Sequence, residues 1–428
     1  MKNGKKSTLI ISIMIIFSMI WSLSGCTTFD SFSHAFLEES SEDAMPIITV
    51  GIFEPQTGAN AAKGKEELKG IELANSIYSN VDGYKVVLSK VDTQSKVSAT
   101  TTAIQGLIDM KPVAIIGSAG EATSLAASDY IQKAKIPAIT PSSTNPLITH
   151  THGKGYYFRG CITESQMGEG LAEYAYKQLN SRSIGIVSLK NDSSTASVID
   201  GFESKIKKLA KKKSKAIVAT SDIAATEDEM KAALETLRTS GCDVCFVSLG
   251  TEAMNTFFTL AEKYNMTDIT YLGVRSWGND DFIQMMKNHE DIKVVFPYSS
   301  VITDNENDDE NLTEEAQRFL IEYQNRYGSD DIPTEYSALG YDSYLLIINA
   351  IHNAKSLEGK DIRKAMLNLK DLKGVTGVFS FDDTGNVVRT VNLSTIKDNT
   401  VISEYVTKSE AEAMEFEGIE QAETTEEQ

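Results

Sequence analysis

From Pro46 onward, apolar residues fall into short unbroken runs, separated by longer stretches in which they recur every three or four positions. An unbroken run bounded by turn residues suits a strand buried on both faces, and the 3.6-residue recurrence suits a helix with one apolar stripe. The pattern predicts strands over residues 47–53, 85–91, 113–116 and 138–140, with helices over 66–78, 98–108 and 123–134 between them. A second series follows, with strands over 183–187, 216–219, 244–247 and 269–272 and helices over 227–239 and 252–264. Alternating β and α elements imply a mostly parallel sheet with helices on both faces, so two such series predict two similar α/β lobes. In sheets of this kind ligands sit outside the carboxyl ends of the strands. The loops after Ile116, Thr140, Val187 and Leu272 are therefore where a site is expected.

The two ends of the chain break this pattern. Lys2, Lys5 and Lys6 precede an uncharged stretch from Ser7 to Gly25, the charged and apolar regions of a secretory signal. A membrane-spanning helix is the competing reading, since the stretch approaches bilayer-spanning length. Leu23-Ser24-Gly25-Cys26 favours the first, because it resembles a bacterial lipobox in which the cysteine thiol takes a diacylglycerol. Two acyl chains then hold the protein stably, at about 0.8 kcal/mol for each buried CH₂. Residues 1–25 are expected to be removed and 26–45, rich in Ser, Thr and acids, to form a solvated tether. Residues 407–428 hold eight glutamates and are expected to be a disordered acidic tail.

Composition bounds the function. The 428 residues carry a formal charge of −19, and loss of the three leading lysines takes it to −22, which argues against nucleic acid as a partner. With Cys26 assigned to lipid, Cys161, Cys242 and Cys245 remain, too few for a disulfide framework. Cys242 and Cys245 form a C-x-x-C within an apolar strand, with no second ligand pair at zinc spacing, and read as buried structural thiols. Asp304, Glu306, Asp308 and Glu315 stand at positions 1, 3, 5 and 12 of a calcium loop, but Asp309 occupies the position where the turn needs glycine.

Several separated motifs carry a family resemblance. Pro55-Gln56-Thr57-Gly58 with Gly64, Gly70 and Leu73-Ala74, then Asp92-Thr93-Gln94-Ser95, Ile116-Gly117 and Ile139-Thr140-Pro141-Ser142-Ser143-Thr144 occur in order. Gly340-Tyr341-Asp342-Ser343 and Gly374-Val375-Thr376-Gly377 with Phe381-Asp382 follow near the end. Over residues 46–406 the chain resembles the branched-chain amino-acid-binding proteins of ABC importers, the type I periplasmic binding proteins. The resemblance implies two Rossmann-like lobes with three crossings, near Gly160, Pro297 and Val375. Lobe one would comprise 46–160 plus 297–374, and lobe two 161–296 plus 375–406. It also implies closure on a solute like a hinged trap, with ABC permease and ATPase subunits as partners.

Site residues follow position by position from the same resemblance. Ser142, Ser143 and Thr144 form the loop against the ligand, with Ser142 and Thr144 at the α-carboxylate and ammonium, and Tyr336 lines the pocket. Elsewhere the chemistry departs from the family. Glu121 stands where a carboxylate-binding serine is expected, Ser193 replaces a tyrosine, Lys63 an aromatic, and Arg275 the acid that pairs with an ammonium. Arg275 can fork onto an anionic group and Glu121 can hold a cationic one, so the ligand is either flipped or not an α-amino acid. A register slip in these loops, or charges that point to solvent, is the other reading, and the ligand class stays open.

Other chemistry fits poorly. Val274-Arg275-Ser276-Trp277-Gly278 has valine where a nucleophile elbow needs glycine and reads as a loop after a strand. His150 and His152 lack a third ligand nearby, and Gly168 and Gly170 lie in a helical pattern where helix packing accounts for them. The expectation is a binding protein rather than an enzyme, with no metal or cofactor, delivering a small polar solute to a transporter. The alternative is an extracellular sensor that passes lobe closure to a signalling receptor.

Overall fold

The computed structural model describes residues 45–150, 155–210, 216–298 and 312–407. The signal segment, Cys26 and its tether, the acidic tail, residues 304–309 of the calcium-loop pattern and His152 lie outside the described residues, as does the side chain of His150.

The first series of runs forms a six-stranded sheet in the order β2-β3-β1-β4-β5-β6. Its strands are β1 (Ile47–Glu54), β2 (Asn80–Val81), β3 (Tyr84–Asp92), β4 (Ala114–Ile116), β5 (Ala138–Thr140) and β6 (Tyr157–Arg159). All pairings are parallel except the short edge pairing of β2 with β3. The helices α1 (Ala61–Ile77), α2 (Val97–Asp109) and α3 (Glu121–Ala134) connect the strands. α1 begins before the expected 66 because its first turn carries exposed Lys63 and Lys65. That turn is held instead by Gly64, where a Cβ would stand 2.3 Å from the Pro55 carbonyl oxygen.

The second series forms a sheet in the order β16-β15-β11-β10-β9-β7-β8. β7 (Ile184–Leu189), β8 (Ile217–Ile223), β9 (Val244–Ser248), β10 (Thr270–Leu272) and β11 (Val294–Pro297) run parallel. α4 (Glu164–Glu173), α5 (Ala196–Leu209), α6 (Glu227–Thr239), α7 (Thr251–Lys263) and α8 (Asp280–Met286) belong with it. The chain then returns to the first lobe for α9 (Glu314–Tyr327), α10 (Glu335–His352) and α11 (Gly359–Asn368). β12 (Leu372–Lys373), β13 (Val378–Phe381) and β14 (Val387–Val388) make a small antiparallel sheet. β15 (Asn392–Lys397) and β16 (Thr400–Val406) close on β11 in antiparallel fashion.

The small sheet stays with the first lobe. Arg159 N–H donates to the Gly385 carbonyl at 2.9 Å, and the Phe158 and Phe381 rings meet edge-on at 5.3 Å. Val375, where a handover to the second lobe is expected, lies inside this sheet between β12 and β13, and the chain enters the second sheet only at Asn392.

Two helix crossings explain four glycines. A Cβ on Gly70 would stand 1.8 Å from the Ser337 carbonyl oxygen, and one on Gly340 2.1 Å from that of Glu67, so α1 and α10 meet backbone to backbone. In the second lobe α4 and α5 cross in the same way, with 2.0 Å at Gly168 and 2.1 Å at Gly201. Helix packing is thus the role of Gly168.

The separated motifs also lock onto one another. Asp92 Oδ1 accepts the amides of Gln56 and Gln94, each at 2.8 Å, and Oδ2 the Thr57 hydroxyl at 2.7 Å. These bonds hold its carboxyl below the usual carboxylate range against the opposing effect of partial burial. Buried Asp342 accepts the amides of Val375 at 2.6 Å and Thr376 at 2.8 Å. Glu315, the last position of the calcium-loop pattern, is buried and accepts from the hydroxyls of Tyr78 and Tyr341.

Candidate functional site

The amino ends of α3, α4 and α10 and the turn after β10 come near one another, since Glu121, Glu335 and Arg275 all act on Glu164 and Arg275 pairs with Glu335. The Ser142-Ser143-Thr144 loop follows β5, and its two flanking hydroxyls are already engaged. Ser142 Oγ donates to Glu67 Oε1 at 2.5 Å, and Thr144 Oγ1 to Glu121 Oε1 at 2.9 Å. A hydroxyl has one hydrogen, so both side chains keep only lone pairs for anything else. Ser143 is buried, and its Oγ has no partner among the described residues.

Arg159 braces this loop from β6. Its guanidinium is fully buried and donates to the carbonyls of Ser143 at 3.0 Å and Asn145 at 2.6 Å and to Asn386 Oδ1 at 3.1 Å. Five donors in a rigid fork can bind three acceptors from two segments at once. Burial pulls this guanidinium below its ordinary pKa.

Across the cleft, Arg275 lies in a short turn (Arg275–Gly278) after β10, held by Trp277, which stacks on Phe282 at 4.7 Å. Its guanidinium forms an ion pair with Glu335, the first residue of α10 in the other lobe. One arm of the Arg275 fork is therefore held by a carboxylate of the protein. Burial opposes the charge of Arg275, but Glu335 and, behind it, Tyr336, Cys161 and Glu164 together raise its pKa. Glu164, at the start of α4, lies close to the same group; burial raises its pKa, Arg275 lowers it, and Glu121 and Glu335 raise it. Lys63 stands with its ammonium 5.2 Å from the ring centre of Tyr336. The cleft thus gathers the carboxylates Glu121, Glu164 and Glu335 against the cations Arg275 and Lys63. Ser193 sits exposed in the loop after β7.

Sequence reasoning did not single out Glu54, Glu67, Arg159, Glu164 or Glu335. Two carried a signal: Glu54 and Arg159 each place a charge at the end of an apolar strand, where nothing but a site or a buried partner accommodates one. Glu67, Glu164 and Glu335 look like ordinary helix residues until their neighbours are known. Cys161, Cys242 and Cys245 are buried free thiols, with burial raising Cys161 and Cys242 to about 11. Among the described residues no group of three or more His, Cys, Asp or Glu side chains could hold a metal ion.

Residues 47–400 match the model of the family described as periplasmic binding protein. The chain belongs to that family. An amino acid binding protein of Pseudomonas aeruginosa is 27% identical over 210 residues, 48% of this chain and 54% of the relative. A Leu/Ile/Val-binding protein homolog of Brucella melitensis is 26% identical over 33% of this chain and 39% of the relative. The match thus spans about half or less of these curated relatives' length. Among solved structures, the branched-chain amino-acid-binding protein of Streptococcus pneumoniae in complex with isoleucine covers 85% of this chain and 99% of its own. It is 24% identical with a TM-score of 0.58. A putative branched-chain amino-acid ABC transporter protein from Rhodospirillum rubrum reaches a TM-score of 0.71 at 18% identity, over 84% of this chain and 100% of its own. At these identities the likeness is one of fold, and it fixes the type I periplasmic binding architecture. Periplasmic binding proteins bind solutes and are not enzymes. Among the described residues no helix is long and apolar enough to cross a membrane.

Proposed function

We propose that this periplasmic binding protein captures a small polar solute bearing an amino group, an amino acid or a related compound. Capture takes place outside the cytoplasm by closure of the lobes, and the solute passes to the permease and ATPase subunits of an ABC importer. In this reading the lipid on Cys26 holds the protein at the membrane surface. Lys63, Glu121, Ser142, Ser143, Thr144, Ser193, Arg275 and Tyr336 surround the solute, with Glu164 and Glu335 added to them.

The observation that carries the reading is the commitment of both loop hydroxyls to carboxylates. Because Ser142 and Thr144 donate to carboxylates of the protein, they offer acceptors to the cleft, which suits an ammonium or amide N–H and disfavours a carboxylate at that end. The surplus of carboxylates points the same way, and Arg275, held by Glu335, supplies no free charge for an anion. Micromolar affinity needs about −8 kcal/mol, within reach of a few charge-assisted hydrogen bonds in a closed cleft.

A thermal-shift panel of amino acids, small amides and organic anions tests this. A compound at about 100 times its Kd adds roughly 2.7 kcal/mol of stability. Amino compounds should stabilise the protein and amine-free anions should not; stabilisation by the anions alone would sink the reading. For the anchor, Cys26→Ser should move the protein from the membrane to the soluble fraction.

A further inference from the structure

Behind the two loops lies a pair of carboxyl groups with no counterion in contact among the described residues. Glu54 ends β1 and Glu67 lies within α1, and both are completely buried. Each commits one oxygen to a different cleft loop. Glu54 Oε2 accepts the Ala119 amide at 2.7 Å, and Glu67 Oε1 accepts the Ser142 hydroxyl at 2.5 Å. Each keeps its other oxygen, Glu54 Oε1 and Glu67 Oε2, buried with no donor among the described residues. The two side chains are within hydrogen-bonding reach of each other.

Two ionised carboxylates cannot hydrogen-bond, because both only accept, and two buried like charges in contact repel strongly. One proton between the two leftover oxygens gives each a partner and removes one charge. We infer that Glu54 and Glu67 share a single proton and act as a positioning pair, tying the loop after β4 to the loop after β5 so that both keep their geometry only while the proton is held. The inference rests on the preceding section only in taking these loops to face the solute.

The surroundings favour retention of the proton at neutral pH. Burial dominates for both groups, raising Glu67 to about 7 and Glu54 well above the ordinary carboxylate range. The charged or titratable groups facing the pair among the described residues are Lys63 on α1 and Tyr157 on β6. Lys63 is exposed and draws Glu67 only weakly toward ionisation. Tyr157 is neutral and donates to the Gly117 carbonyl at 2.5 Å. Ser142 favours the ionised form of Glu67, and Ala119 that of Glu54.

Native-state hydrogen exchange on the full chain, corrected for the intrinsic pH dependence of amide exchange, tests the pair without any ligand. The Ala119 amide should lose about tenfold of its protection between about pH 6 and about pH 8.5, the equivalent of one pKa unit of coupling. In Glu67→Gln the amide hydrogen replaces the shared proton and the amide oxygen still accepts Ser142, so protection should stay at its low-pH value throughout. Glu54→Gln should behave alike from the other side. Protection in the wild type that ignores pH, or a loss that persists in both variants, overturns the pair. Should the glutamine variants not fold, Ser142→Ala decides, since removing a bond that favours ionised Glu67 should move the midpoint of the loss to higher pH; an unmoved midpoint overturns the inference. Since no solute is added, this result stands apart from the outcome of the thermal-shift panel.

Discussion

The first lobe is held around its cleft by buried polar side chains and the second by stacked rings, although the two sheets share a layout and each has one glycine-to-glycine helix crossing. In the first, Glu54, Glu67, Arg159, Glu315 and Asp342 are all buried and each anchors a loop or joins two segments. In the second, Phe258 packs edge-on against Tyr271 at 5.3 Å and Trp277 at 6.2 Å, and Trp277 stacks on Phe282. His289, buried there, bonds Glu262 at 2.9 Å and Asn255 at 3.1 Å. The difference separates two tasks. Polar anchors fix where loop atoms point, whereas an aromatic core supplies non-directional burial beneath the turn that carries Arg275.

The contrast can be broken most forcefully from the aromatic side. Trp277→Ala should cost about 4 kcal/mol in urea unfolding, because it removes the ring under the Arg275 turn and leaves a cavity. Next come the helix crossings. Gly70→Ala and Gly168→Ala should each cost about 3 kcal/mol or more, since a backbone carbonyl occupies the space of the added methyl. Near-equal losses would support equivalent crossings, and a small loss in one lobe would break the symmetry.

Proton linkage should distinguish the lobes next. Glu67, raised to about 7, and Asp342, raised to about 6, bind protons more tightly folded than unfolded. Their contribution is full below the unfolded value and is lost as pH rises through about 6 to 7, with a slope of up to about 1.4 kcal/mol per pH unit per proton. Urea titrations between about pH 5 and about pH 8 should show this fall, and Asp342→Asn with Glu67→Gln should flatten it. A double-mutant cycle on Arg275 and Glu335 should give a coupling of about 1 kcal/mol, modest because both side chains are partly exposed. X-ray scattering of either single variant should report a wider separation of the lobes. The smallest effect is a gain: Gly106→Ala, in an exposed turn of α2 with open space at its Cβ, should stabilise by about 0.5–1 kcal/mol.

Much of this was legible along the chain. β5 spans the residues its apolar run predicts, and α6 runs from Glu227 to Thr239 as its periodicity requires, with Met230, Ala233, Leu234 and Leu237 buried on one face. Such elements follow from local pattern, and so does the alternation that defines the fold class. The candidate site was legible in part. The Ser142-Ser143-Thr144 loop and Glu121 do stand together, bridged by Thr144. Arg275 does sit in a loop after a strand, but its charge is answered by Glu335, sixty residues on along the chain. No local pattern records that distance.

The sequence by itself determined two α/β series, their strand-end loops and the motifs that carry the family, because periodicity and turn chemistry act over a few residues. Only the tertiary structure decided which charges are free. Glu67 and Ser142 are 75 positions apart, Glu54 and Ala119 65, and Arg159 and Asn386 227. Whether a carboxyl keeps its proton, or a guanidinium its opening to the cleft, depends on what folding brings beside it and on how much water it takes away.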